Sequence, residues 1–171
     1  VGLTTDQIPA LSTSQVAALT TSQVAGLSIM ALSGLTETQV AAMSTSQIAS
    51  LTSTQVTNLA ASQIGALTTA QIAAFTTTEV AGLTALQLGE LTTTQFSALT
   101  TTSLASLTQA QIVGMSADQI ALLDGTRLAT LTRTEIASLT STQATELSTT
   151  QIAALTTTQL AGLTAADFGA M

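Results

Sequence analysis

The sequence predicts an all-α solenoid of very short capped helices, one per 8-residue repeat, and three observations predict it. Every eighth residue from Leu3 to Met171 is a large apolar side chain, 22 in succession. The residue after it is Thr, Ser or Asp in 20 of 21 octads, Ala60 being the exception. Three positions further on, Gln or Glu stands in 17 of 21. The last two spacings make a capping box: the hydroxyl accepts a backbone N–H at the helix start, and the Gln or Glu reaches back to the N–H of the cap. The Leu before the cap and the Ile or Val after the Gln then occupy the hydrophobic staple positions. A period this short and strict belongs to a solenoid, whose units bury their apolar faces only against neighbours.

Within one unit, as in Ser148 to Leu155, the cap is followed by Gln151, Ile152, Ala153, Ala154 and Leu155. Ile152 and Leu155 are three apart and share a helix face. After about one and a half turns the next cap arrives, and the β-branched Thr-Thr pair that follows it disfavours continuing the same helix. A single continuous helix is disfavoured by arithmetic, because eight residues advance about 800° and the apolar stripe would drift about 80° per repeat. A flat strand is disfavoured because the Leu3 column is odd and the Ile8 column even. A β-solenoid with two octads per coil remains the alternative, since corners reset the parity and Thr suits strands. Gly2, Gly34, Gly82, Gly114 and Gly162 share a 16-residue phase, which points to a two-octad unit, a helical hairpin. The expected domain is residues 1–171, a single uninterrupted octapeptide-repeat solenoid. The pattern is intact near Leu3 and again from Leu163 to Met171, with neither an initiator Met nor polar end caps. The expectation is a fragment of a longer array or the protomer of a filament.

Composition narrows the function classes. Charged residues are 6% of the chain against the usual one-quarter, and with no Trp, Tyr, Cys or His the core must be a thin line of aliphatic side chains. The net charge of −7 arises from nine carboxylates offset by only Arg127 and Arg133, so the phosphate neutralisation that drives nucleic-acid binding is missing, as is attraction to anionic lipid. Mean hydropathy is +0.53, yet apolar runs such as Val16-Ala17-Ala18-Leu19 fall far short of the roughly 20 residues that span a bilayer. Neither nucleic acid nor membrane insertion is therefore expected. Without Cys there are no disulfides and no thiolate chemistry.

The pattern breaks in three places. In the fourth octad Ile29 and Met30 stand where Thr and Ser are usual, and Ala31 takes the Gln column; Leu86 is a similar intruder. Ile29, Met30 and Leu86 are the candidate assembly contacts, weighed against tolerated drift in a degenerate repeat. At Leu122-Leu123-Asp124-Gly125-Thr126-Arg127-Leu128, Asp124 remains a good cap. With Asp118 nearby it could suggest an ion site, but calcium needs six to eight oxygens and a carboxylate-rich loop. Structural variation is the expected reading, with no metal and no cofactor. No catalytic residues are assigned either: the many hydroxyls have no base to activate them, Glu135 and Glu146 do not converge in any motif, and no enzyme is expected.

The octad at Leu147-Ser148-Thr149-Thr150-Gln151-Ile152-Ala153-Ala154 and its neighbours resembles the Thr/Ala-rich octapeptide arrays of large bacterial surface and secreted adhesin-like proteins. That resemblance covers essentially the whole chain and implies export, with an extracellular or cell-surface location. The expected function is a structural extracellular repeat protein, forming a filament or the stalk of an adhesin by end-to-end or lateral self-association. The alternative is an ice- or polysaccharide-binding solenoid that presents Thr rows, such as Thr92-Thr93-Thr94, to ice or to surface glycans. Rows about 4.7 Å apart, as in a β-solenoid, would favour that alternative; packed helices would space them about 8–10 Å apart.

Overall fold

The structure, a computed structural model, describes residues 7–164 and 167. The repeat positions read at Gly2, Leu3 and Met171 lie outside the described residues. Between them run nineteen helices of four to six residues, from α1 (Thr13–Ala17) to α19 (Thr157–Leu160), with no strand among the described residues. The all-α solenoid is what the chain forms, one helix per octad.

Each helix begins where the sequence places its cap. Ser12 before α1 is extended (φ −71°, ψ 159°), its Oγ accepts from Gln15 N, and Gln15 Oε1 accepts from Ser12 N at 2.7 Å. Thr52 does the same for α6 (Ser53–Thr57), and Thr92 for α11 (Thr93–Ala98). At Ala60, which caps α7 (Ala61–Gly65), no hydroxyl is present; Gln63 still accepts from the Ala60 N–H, but nothing returns the bond. Termination does not use a left-handed glycine, for no described residue has positive φ. Instead the column Leu turns extended, as at Leu83 (φ −64°, ψ 132°) and Leu155 (φ −68°, ψ 136°). Its N–H closes a short turn onto the Ile or Val three residues back, as Leu67 does onto Ile64 O at 3.1 Å. The same Leu therefore ends one helix and serves as the staple of the next.

Helices this short do not persist alone in water; packing holds them. The closest helix neighbours are three octads apart: α6 lies on α9 (Thr77–Gly82), α8 (Thr69–Ala73) on α11, and α10 (Ala85–Gly89) on α13 (Gln109–Val113). The two-octad hairpin suggested by the glycine phase is thus not the packing unit. Three of those glycines mark tight crossings between coils. A Cβ on Gly82 would sit 2.6 Å from Ser53 O, one on Gly114 2.5 Å from Ala85 O, and one on Gly162 2.6 Å from Arg133 O, each 29 residues earlier. The Ile/Val and Leu columns all point inward and form one continuous core along the coil. The thinness read from composition appears as a core two side-chain columns wide.

Candidate functional site

The side chains that organise the molecule are the column glutamines, and their second role is absent from the capping-box reading. Gln39 keeps its Oε1 on the N–H of Thr36, while its Nε2 donates to three carbonyls of the coil beneath: Ile8 O at 3.1 Å, Pro9 O at 3.4 Å and Leu11 O at 2.7 Å. Gln119 repeats this on Leu88, Gly89 and Leu91 at 2.8, 3.3 and 2.9 Å, and Gln159 reaches Leu128 and Leu131 at 2.7 Å each. These acceptors lie 31, 30 and 28 residues back, at the end of the helix four octads earlier, where a helix has carbonyls without intrahelical donors. One amide therefore caps the start of its own helix and the end of another. Because each helix packs on the one three octads back and is clamped to the one four octads back, a superhelical turn takes between three and four octads.

From Gln39 onward these side chains are buried. In the first coil they are not: Gln15 and Gln23 are exposed, and their Nε2 groups meet no acceptor among the described residues. The sequence held one signal for the clamp. A capping box accepts Gln or Glu alike, yet 15 octads carry Gln and two carry Glu, and only the amide can donate.

The octads that depart from Gln show the same logic. Arg127 keeps the clamp with a different donor, its guanidinium donating to Phe96 O at 3.4 Å, Ser97 O at 2.5 Å and Leu99 O at 3.4 Å, while Asp124 caps its N–H at 2.9 Å. The break at 122–128 is accordingly a local variant of the same joint. Ser103 reaches only Phe75 O, at 3.1 Å. Glu79 and Glu135 preserve the cap, accepting from Thr76 N at 2.7 Å and Thr132 N at 2.6 Å, but supply no donor to the coil beneath. Glu79, Ser103 and Glu135 fall on α9, α12 (Thr101–Leu104) and α16 (Arg133–Ile136). Since α12 packs on α9, and Glu135 stands four octads after α12, the weakened clamps follow one side of the coil. Asp118 sits in the first turn of α14 (Ala117–Ala121), and among the described residues no group of three or more acidic side chains is placed to hold a metal ion.

The candidate assembly contacts all lie on the outside. Met30 on α3 (Ile29–Ser33) is 67% exposed, Leu86 on α10 is 66% exposed, and Ile29 is exposed beside Met30. The structure does not gather them: α3 packs on α6, whereas α10 packs on α7 and α13. It does put Leu86 and the exposed Val113 on neighbouring helices, α10 and α13. Val113 was legible, since from Ala17 onward its column otherwise holds small residues or Thr. The cap and the two residues after it are mostly exposed, so Thr rows do face solvent, carried on packed helices and not on strands. No described helix is long and apolar enough to cross a membrane.

Residues 1–29 match a family model described as the ALTTAQ repeat. The chain spells that hexapeptide once, at Ala66-Leu67-Thr68-Thr69-Ala70-Gln71, and repeats variants of it to its last octads. No curated protein matches the chain. A repeat protein built from helical octads is what the family match and the fold together support.

Proposed function

We propose that the chain is a structural repeat protein working outside the cell, as a filament component or the stalk of an adhesin, and that it is not an enzyme. The observation that carries this reading is the glutamine clamp. It recurs at twelve octads from Gln39 to Gln159, always onto carbonyls four octads back, and ties each coil to the one before. A joint repeated this uniformly serves length and stiffness; it creates no special place along the coil where a substrate would be held. The outer surface supports the same reading, being largely hydroxyl and methyl with few charges, so salt and pH have little to act on. The reading of Thr rows as an ice or glycan array is weaker, because helices about 8–10 Å apart do not give the close flat spacing of strands.

Electron microscopy of the purified chain tests the proposal. Stiff rods of one width, on the order of 50 Å long at about 8–10 Å per coil, are expected. Compact particles without an axis would overturn it. Protease shaving of intact source cells tests the location: loss of the chain from undamaged cells is expected, and full protection contradicts an extracellular role.

A further inference from the structure

We infer that the joint at Glu79 is closed by a proton: in acid its carboxyl group donates to the carbonyls of the coil beneath, as the column glutamines do through their amides, and in alkali that bond is absent. The inference goes beyond the structural reading above and does not depend on where the protein works.

Glu79 occupies the Gln column on α9 and is buried. The N–H and the hydroxyl of Thr76 both donate to its Oε2, which thus does the work of a glutamine Oε1. The other oxygen, Oε1, stands where a glutamine carries its amide nitrogen. The octads on either side show what that position faces. Gln71, one octad earlier, donates through Nε2 to the carbonyls of Val40, Ala41 and Met43 at 3.1, 3.2 and 2.7 Å. Gln87, one octad later, does so to Val56, Thr57 and Leu59 at 3.0, 3.5 and 2.7 Å. The same register sets the carbonyls of Ile48, Ala49 and Leu51 against Glu79, and no other side chain among the described residues donates to them.

A carboxyl group and a primary amide have nearly the same shape, so the pairing is decided by hydrogens. An ionised carboxylate only accepts, and it turns its lone pairs on those of the carbonyls in a place where water does not relieve the cost. The protonated group has one O–H to donate, while Oε2 keeps the cap as a carbonyl oxygen. No neighbouring cation takes the place of that hydrogen. α9 packs on α6 and α12, stands over α5 (Thr45–Ile48) and is itself clamped by Gln111 of α13, and none of these four helices carries a charged residue. Glu90, the nearest carboxyl group along the chain, is exposed at the C-cap of α10. The proton comes from solvent and adds to Oε1. Its hydrogen bond exists only in the folded chain, so proton uptake and folding favour one another and the joint tightens as pH falls. The outer surface gives pH little to act on; this joint in the core responds to it.

Denaturant unfolding of the wild type, Glu79→Gln and Glu37→Gln tests this from about pH 9 to about pH 3.5, the latter below the ordinary value for glutamic acid. Glutamine supplies its donor at every pH. At the alkaline end Glu79→Gln should raise the ratio of folded to unfolded chain at least about fivefold, the worth of one buried hydrogen bond. That gain should shrink as pH falls, to under about twofold at the acid end, where the wild type has a donor of its own. Glu37 is exposed in the first turn of α4 (Glu37–Ala41), where a carboxylate favours the helix, so Glu37→Gln should give no gain at any pH. A Glu79→Gln gain that is the same at both ends of the range, no gain at any pH, or an equal gain from Glu37→Gln overturns the inference.

Discussion

At the scale of the residue, the controlling chemistry is the difference between an amide and a carboxylate. Both satisfy the cap of their own helix, and only the amide has hydrogens left for the carbonyls of the coil beneath. Glu79 is 2% exposed and has the carbonyls of Ile48 and Leu51 at the clamp spacing behind it, without a side-chain donor. Glu79→Gln should therefore stabilise the fold by about 1 kcal/mol, a typical net value for a buried hydrogen bond, read as a raised midpoint in denaturant. Ala60→Thr should add about 1 kcal/mol by supplying the missing cap hydroxyl to the Gln63 N–H; an unchanged midpoint would mean that the caps do not limit stability. The cap half of each joint was legible, since Thr and Gln three apart form a local pattern. The other half was not, because its acceptors lie 28 to 31 residues away and a local pattern carries no information at that range.

The element scale separates what an octad decides alone from what its neighbours decide. Helix starts, helix lengths and the two buried columns followed from the eight-residue pattern. The number of octads per turn did not, because an eight-residue period is consistent with any number of units per coil. The glycine phase was misleading for a related reason: Gly82, Gly114 and Gly162 answer to the backbone of helices three octads back, and not to an adjacent hairpin partner. Glycines off those crossings should behave oppositely. Gly65 lies inside α7 with open space where a Cβ would go, so Gly65→Ala should stabilise by about 1 kcal/mol through helix propensity. Gly114→Ala should destabilise, because its Cβ would meet Ala85 O and the Ala85 side chain and force α10 and α13 apart. Thermal unfolding of the two single variants checks the pair, and equal effects would refute the crossing geometry.

The whole molecule is a stack in which coils are held by contacts to neighbouring coils, with no long-range centre. A column glutamine binds two coils at once, and position along the chain separates this from simple capping. The deciding measurement is the unfolding free energy, at a concentration where the chain is monomeric, of two variants made alike: Gln23→Glu in the first coil and Gln119→Glu in the middle. Both keep the cap, at Thr20 and Ser116 respectively, but only Gln119 has carbonyls beneath it, at Leu88 and Leu91. A loss of about 1–3 kcal/mol for Gln119→Glu, the cost of leaving buried polar groups unpaired, with almost none for Gln23→Glu, is the predicted result. Equal losses at the two positions would mean that the glutamines act only on their own helices, and would contradict the clamp.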